Sequence, residues 1–123
     1  MRSNGYRNGE EITFSVTPNK DGYLKIFLFE NAEEASQIFP NEDETNCKLS
    51  AKKTVSFPTR SDIDYSTEKK TDQKQEHNLL LFVYTKGDIP FYGSTTRKEI
   101  LNWLNSIEPD QREVVRKIIM ISE

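Results

Sequence analysis

The chain has 123 residues, long enough for one domain with a buried core and short for two. Its 17 basic and 20 acidic residues give a net charge of -3, which lacks the electrostatic footprint of a general nucleic-acid binder. A single cysteine, Cys47, excludes an internal disulfide, and no apolar run reaches the length of a membrane span.

Hydrophobic residues make up 34% of the chain, a low share, but they are gathered into runs, so the composition describes a folded domain with long polar loops. Residues 11–17 alternate, with Ile12, Phe14 and Val16 on one face, and predict a half-buried strand. Pro18-Asn19-Lys20-Asp21-Gly22 carries turn chemistry and is expected to be the loop of a hairpin. Residues 22–30 are apolar on both faces, with Leu24, Ile26 and Leu28 against Tyr23, Phe27 and Phe29. That pattern belongs to a central strand covered on both sides. Ser36–Phe39 predicts a short strand ended by Pro40, and Lys53–Phe57 a further one ended by Pro58. Ile63, Tyr65 and Thr67 predict a weak strand, and the charged residues 68–76 a mobile loop. His77–Thr85 repeats the two-sided pattern and predicts a second central strand.

After Lys86-Gly87-Asp88 the period changes. Thr96-Arg97-Lys98-Glu99 is a capping-box pattern, and Ile100, Trp103, Leu104 and Ile107 form an apolar stripe, so a helix is expected over about 96–107. The β-branched residues of 114–121 favour a final strand. The expected fold is mainly β: a single domain over 1–123, an antiparallel β-sandwich (Ig-like or similar) with one C-terminal amphipathic helix packed on it.

Four stretches carry a family likeness: Asn8-Gly9-Glu10-Glu11-Ile12, Asp21-Gly22-Tyr23-Leu24, Ile38-Phe39-Pro40-Asn41, and the apolar strand at Leu80-Leu81-Phe82. In this order they resemble the DUF4384 family, a bacterial domain of unknown function, over roughly residues 5–92. Asn78 to Pro90 with the following tryptophan helix looks like versions of that domain from gut Bacteroidetes. The resemblance implies a small β-rich module, often attached to a larger envelope or signalling protein, with no established catalytic residues. It transfers no active site.

The chemistry available to the residues is limited. A nucleophilic triad or dyad must use His77, the only histidine. No Gly-x-Ser-x-Gly elbow is present, and Cys47 lies in a polar loop with no helix start to lower its pKa. Zinc needs three or four nitrogen or sulfur ligands, and His77 and Cys47 are the only two on offer. Asn41–Asn46 and the pair Asp62 and Asp64 offer oxygen ligands for calcium, but neither follows an EF-hand, and an acidic solvated loop is the default. The single glycines build no phosphate cradle. No catalytic residue, metal or cofactor is therefore assigned.

Tyr23, Tyr84, Phe91 and Tyr92 are candidates for an aromatic surface. The stretch Ile89-Pro90-Phe91-Tyr92 is expected to plug the end of the sandwich beneath the helix, and Ile89, Phe91 and Tyr92 are the candidate partner contact. The reading is a non-catalytic interaction or structural module of a bacterial protein, with the cell envelope or periplasm favoured over the cytoplasm. Its partner is a protein, or other domains of a larger parent; no nucleic acid and no membrane span are expected. The alternatives are a small carboxylate-dependent hydrolase or carbohydrate-binding domain, and a sensor with a ligand cavity near Trp103.

Overall fold

The computed structural model describes residues 5–7, 9–29, 35–41, 44–59, 65, 75–93 and 95–122. It is mainly β with one helix. The strands are β1 (Gly5–Arg7), β2 (Phe14–Val16), β3 (Gly22–Phe29), β4 (Ala35–Phe39), β5 (Lys48–Leu49), β6 (Val55–Phe57), β7 (Gln75–Thr85) and β8 (Arg112–Ser122). Helix α1 (Arg97–Asn105) lies between β7 and β8.

Six strands form one sheet in the order β1-β8-β7-β3-β4, with β5 also paired to β3. The two double-sided runs, β3 and β7, sit side by side at its centre, with Ile26 opposite Phe82 and Leu28 opposite Leu80. Their alternation sends one set of side chains to each face. On one face Leu24, Ile26, Leu80 and Ile119 are buried with Ile12 and Phe57; on the other Phe27, Phe29, Leu81 and Val83 are buried with Ile100 and Leu104 of α1. The first face is covered by a two-stranded ribbon of β2 and β6, the second by the helix.

The helix starts where the capping pattern places it. Thr96 is extended, and its hydroxyl accepts the Glu99 N–H at 3.2 Å. It ends two residues before the expected 107, where the Ser106 hydroxyl donates to the Trp103 carbonyl and the Arg112 guanidinium donates to the Leu104 carbonyl.

Three expectations are corrected. The sheet is mixed, because β1 runs parallel to β8, with Tyr6 opposite Ile121. The turn at 18–22 does not join a hairpin, since β2 pairs with β6 (Phe14 opposite Phe57) in the separate ribbon. Tertiary partners take up the turn instead: the Pro18 carbonyl accepts from Lys52 N–H at 2.8 Å, and the Asp21 carboxylate accepts from Ala51 N–H at 2.7 Å. The charged stretch 68–76 also yields its last two residues to β7. Ile63, Thr67 and the rest of 68–74 lie outside the described residues.

β4 is the far edge of the sheet. Its register against β3 jumps from Ile26–Phe39 to Phe27–Gln37, a bulge that leaves Ile38 unopposed and curls the sheet there. Pro40 and Pro58 close β4 and β6 as expected, both through cis peptide bonds.

Candidate functional site

Three arrangements of side chains are candidates. The first is the loop after β7. Phe91 packs edge-on against Phe27 and Trp103, each with ring centroids 5.7 Å away, and Phe27 and Trp103 are themselves 5.8 Å apart. The Trp103 indole N–H donates to the Pro90 carbonyl at 3.0 Å. Beside this cluster Lys25, buried in β3, lies 5.7 Å from the Trp103 ring centroid and 3.7 Å from the Asp88 carboxylate. The loop is thus fastened to Trp103 of the helix and to Phe27 and Lys25 of β3. Ile89 and Phe91 are half-buried, and Tyr92 stands out at 91% exposure.

The second is a pair of adjoining hollows on the ribbon side of the sheet. One, of about 330 Å³, is mostly apolar; β2 forms one wall, Leu24 and Phe82 the floor, and Val115 and Lys117 of β8 the far wall. The other, of about 240 Å³, is polar and lies at the end of the sheet, where Asp21, Asp110 and Glu113 meet Lys20, Lys86 and Arg112. Tyr84 stands between them. Its hydroxyl donates to the Lys20 carbonyl at 2.6 Å, and burial, then the charges of Asp21 and Glu113, push its pKa up.

The third is a buried carboxylate. Glu44 is 5% exposed and accepts four hydrogen bonds, from Thr59 N–H (2.7 Å), Thr59 hydroxyl (2.5 Å), Tyr65 hydroxyl (2.5 Å) and the Asn41 side-chain amide (2.9 Å). Burial alone would raise the pKa of Glu44. The hydrogen bonds from Thr59, Tyr65 and Asn41 outweigh it and hold the group below the ordinary carboxylate value. For Tyr65 burial comes first and the bond to Glu44 second, and both push the phenol upward. This knot fastens the turns that follow β4 and β6 to residue 65.

The other candidates separate. By register Tyr23 lies opposite Thr85, so Tyr23 and Tyr84 project from opposite faces and no shared surface of Tyr23, Tyr84, Phe91 and Tyr92 exists. Trp103 lines neither of these two hollows; its ring packs against Phe27 and Phe91 instead. The Cys47 carbonyl accepts from Leu24 N–H, level with Tyr84, whereas His77 lies seven residues back along β7, roughly 23 Å away. The two cannot form a dyad. Burial raises the Cys47 pKa against the opposing charge of Lys25, the reverse of the shift an activated thiol needs.

Of the oxygen-rich stretch 41–46, Glu44 and Asn41 turn inward to each other, and the Asn41 side-chain oxygen accepts the Glu44 N–H at 2.8 Å. Asp62 and Asp64 lie outside the described residues. Among the described residues no three His, Cys, Asp or Glu side chains gather as metal ligands, and no helix is long and apolar enough to cross a membrane.

A family model described as "Domain of unknown function (DUF4384)" matches residues 5–75. The chain belongs to this family. No curated protein and no solved structure matches it. The match stops short of the expected 92: three of the four quoted stretches lie inside it, and Leu80-Leu81-Phe82 lies beyond. On the DUF4384 fold the matched part holds β1 to β6 and the Glu44 knot, and it ends as β7 begins. The floor residue Phe82, the wall residues Val115 and Lys117, and the whole Tyr92 loop come from the unmatched residues 76–123.

Sequence reasoning missed the Glu44 knot and both hollows. The signal for one wall was present: alternation over 112–122 puts Glu113, Val115 and Lys117 on one face.

Proposed function

We propose that this DUF4384 chain is a non-catalytic interaction module of a larger bacterial, envelope-associated protein, with Tyr92 at the centre of a protein contact flanked by Ile89 and Phe91. One observation carries the reading: an aromatic side chain at 91% exposure sits on a loop pinned by Phe91 and by the Trp103–Pro90 hydrogen bond. A tyrosine presented on a fastened loop has little conformational freedom to lose on binding and offers both apolar area and a hydroxyl. The envelope setting rests on what the resemblance to the wider family implies, and the Bacteroidetes-like version on the likeness of residues 78–90 and the helix that follows.

The test is a pull-down from native envelope extract with wild-type chain and with Tyr92→Ala. Loss of the same partners in the variant supports the contact, and an unchanged partner set removes it. Deleting residues 87–93 would be a poor substitute, because it also removes Phe91 and Pro90 from the helix.

The second reading, a carboxylate-dependent hydrolase or carbohydrate-binding domain, has one observation in its favour. Asp21, Asp110 and Glu113 line a single hollow beside Tyr84. Titration with soluble oligosaccharides, compared between wild type and Asp110→Asn, separates it from the first reading.

A further inference from the structure

Among the described residues, the outer side of β8 before Met120 is the longest uncovered strand edge. β1 covers it only from Met120 to Ser122, and among the described residues no strand lies along the outer side of Arg112 to Ile119. An uncovered edge offers a row of N–H and C=O groups to another strand. Two large hydrophobic side chains that the fold leaves exposed lie on this stretch, Val115 at 58% and Ile118 at 59%.

The charges on the strand say what kind of strand fits. Arg116 and Lys117 guard the edge against a strand that brings no acid in register. A second copy brings Glu113. In a two-fold antiparallel join each residue opposes its counterpart reciprocally, and opposed side chains share a face. Centring the join on Glu113, Arg116 or Lys117 sets that charge against itself. Centring it on Val114 sets Arg112 against Arg116, and centring it on Ile118 requires Met120, which β1 already holds. Only Val115 as the centre satisfies the pattern. There Glu113 opposes Lys117 of the second copy and Lys117 opposes its Glu113, on either side of a contact between the two Val115 side chains. On the other face the Arg112 stem lies across Ile118 of the second copy.

We propose that the chain forms a two-fold dimer by antiparallel pairing of β8 with β8 of a second copy, centred on Val115. The join continues the sheet across both copies and covers the exposed valine. It also brings the two apolar hollows together, since Val115 and Lys117 belong to the wall of each.

Sedimentation equilibrium of the full chain at low salt tests this with charge swaps. The wild type is expected to show a concentration-dependent dimer. Glu113→Lys and Lys117→Glu each turn two attractive cross-strand pairs into repulsive ones and should weaken the dissociation constant about tenfold or more. The double variant Glu113→Lys/Lys117→Glu restores both pairs and should recover the wild-type constant, which a merely damaged fold would not do. A chain that stays monomeric at every concentration overturns the proposal. So does a dimer indifferent to the single swaps, or one that the double swap fails to restore.

Discussion

Replacing Glu44 with alanine tests whether a single carboxylate fastens the turns after β4 and β6 to Tyr65. The substitution deprives the Thr59 N–H, the Thr59 and Tyr65 hydroxyls and one Asn41 amide hydrogen of their acceptor in a site that is 5% exposed. Asn41 keeps its bond to the Ile38 carbonyl and the Thr59 hydroxyl can turn to water, so two donors carry most of the loss. At roughly 1–3 kcal/mol for each stranded buried donor, the expected cost is about 3–4 kcal/mol. Glu44→Gln keeps one acceptor oxygen and should cost about half as much, because the remaining bonds lose their charge assistance. Tyr65→Phe removes one donor and leaves the carboxylate three, for about 1 kcal/mol. Urea unfolding followed by fluorescence of Trp103, the only tryptophan, measures all three. A midpoint for Glu44→Ala that gives less than about 0.5 kcal/mol, with unchanged slope, would refute the assignment of Glu44 as a structural anchor.

Two further outcomes follow from the same geometry. Glu44 is held below its ordinary value of 4.5, so its contribution to stability is complete above about pH 4.5 and is lost as pH falls through the folded-state value. Tyr65 is raised from 10.0, so its contribution is complete below about pH 10 and is lost as pH rises further. Wild-type stability should therefore slope down at both ends, and Glu44→Gln/Tyr65→Phe should flatten both slopes in urea titrations across pH. Gly22→Ala should destabilise by about 1–3 kcal/mol in the same assay, because the new methyl meets both the Thr85 carbonyl oxygen and the Tyr84 ring at 2.7 Å. The carbonyl belongs to the paired strand and cannot give way; a neutral result would mean that β3 and β7 slide apart more readily than their pairing implies.

Features written in local periodicity were legible in the sequence. Residues 22–29 and 77–85 are apolar on both sides, and that alone marked each as an inner strand under two covers; that they pair with each other came from the structure. Thr96 and Glu99 marked the helix start to the residue. Features settled by distant partners were not legible. Asp21-Gly22 makes a turn wherever it occurs, but which strand β2 then joins depends on Ala51 and Lys52 taking up the turn's polar groups. Gly5–Arg7 has no pattern of its own and becomes a strand only because β8 offers it an edge. Glu44 sits in an acidic run that reads as solvated, and its burial depends on Thr59 and Tyr65, donors 15 and 21 residues further along. For the loop, the sequence singled out Ile89, Phe91 and Tyr92 together, and only the packing around Trp103 distinguishes the ring that is fixed from the one that is presented.

The parallel seam between β1 and β8 has a mechanical consequence. Gly5 lies beside Met120 and Arg7 beside Ser122, so the chain enters at one end of the seam and leaves at the other. In a protein tethered on both sides, tension would slide the two strands past each other and load their hydrogen bonds together, where an antiparallel seam would be unzipped one bond at a time. Under such a load the β1–β8 pairing would resist in shear.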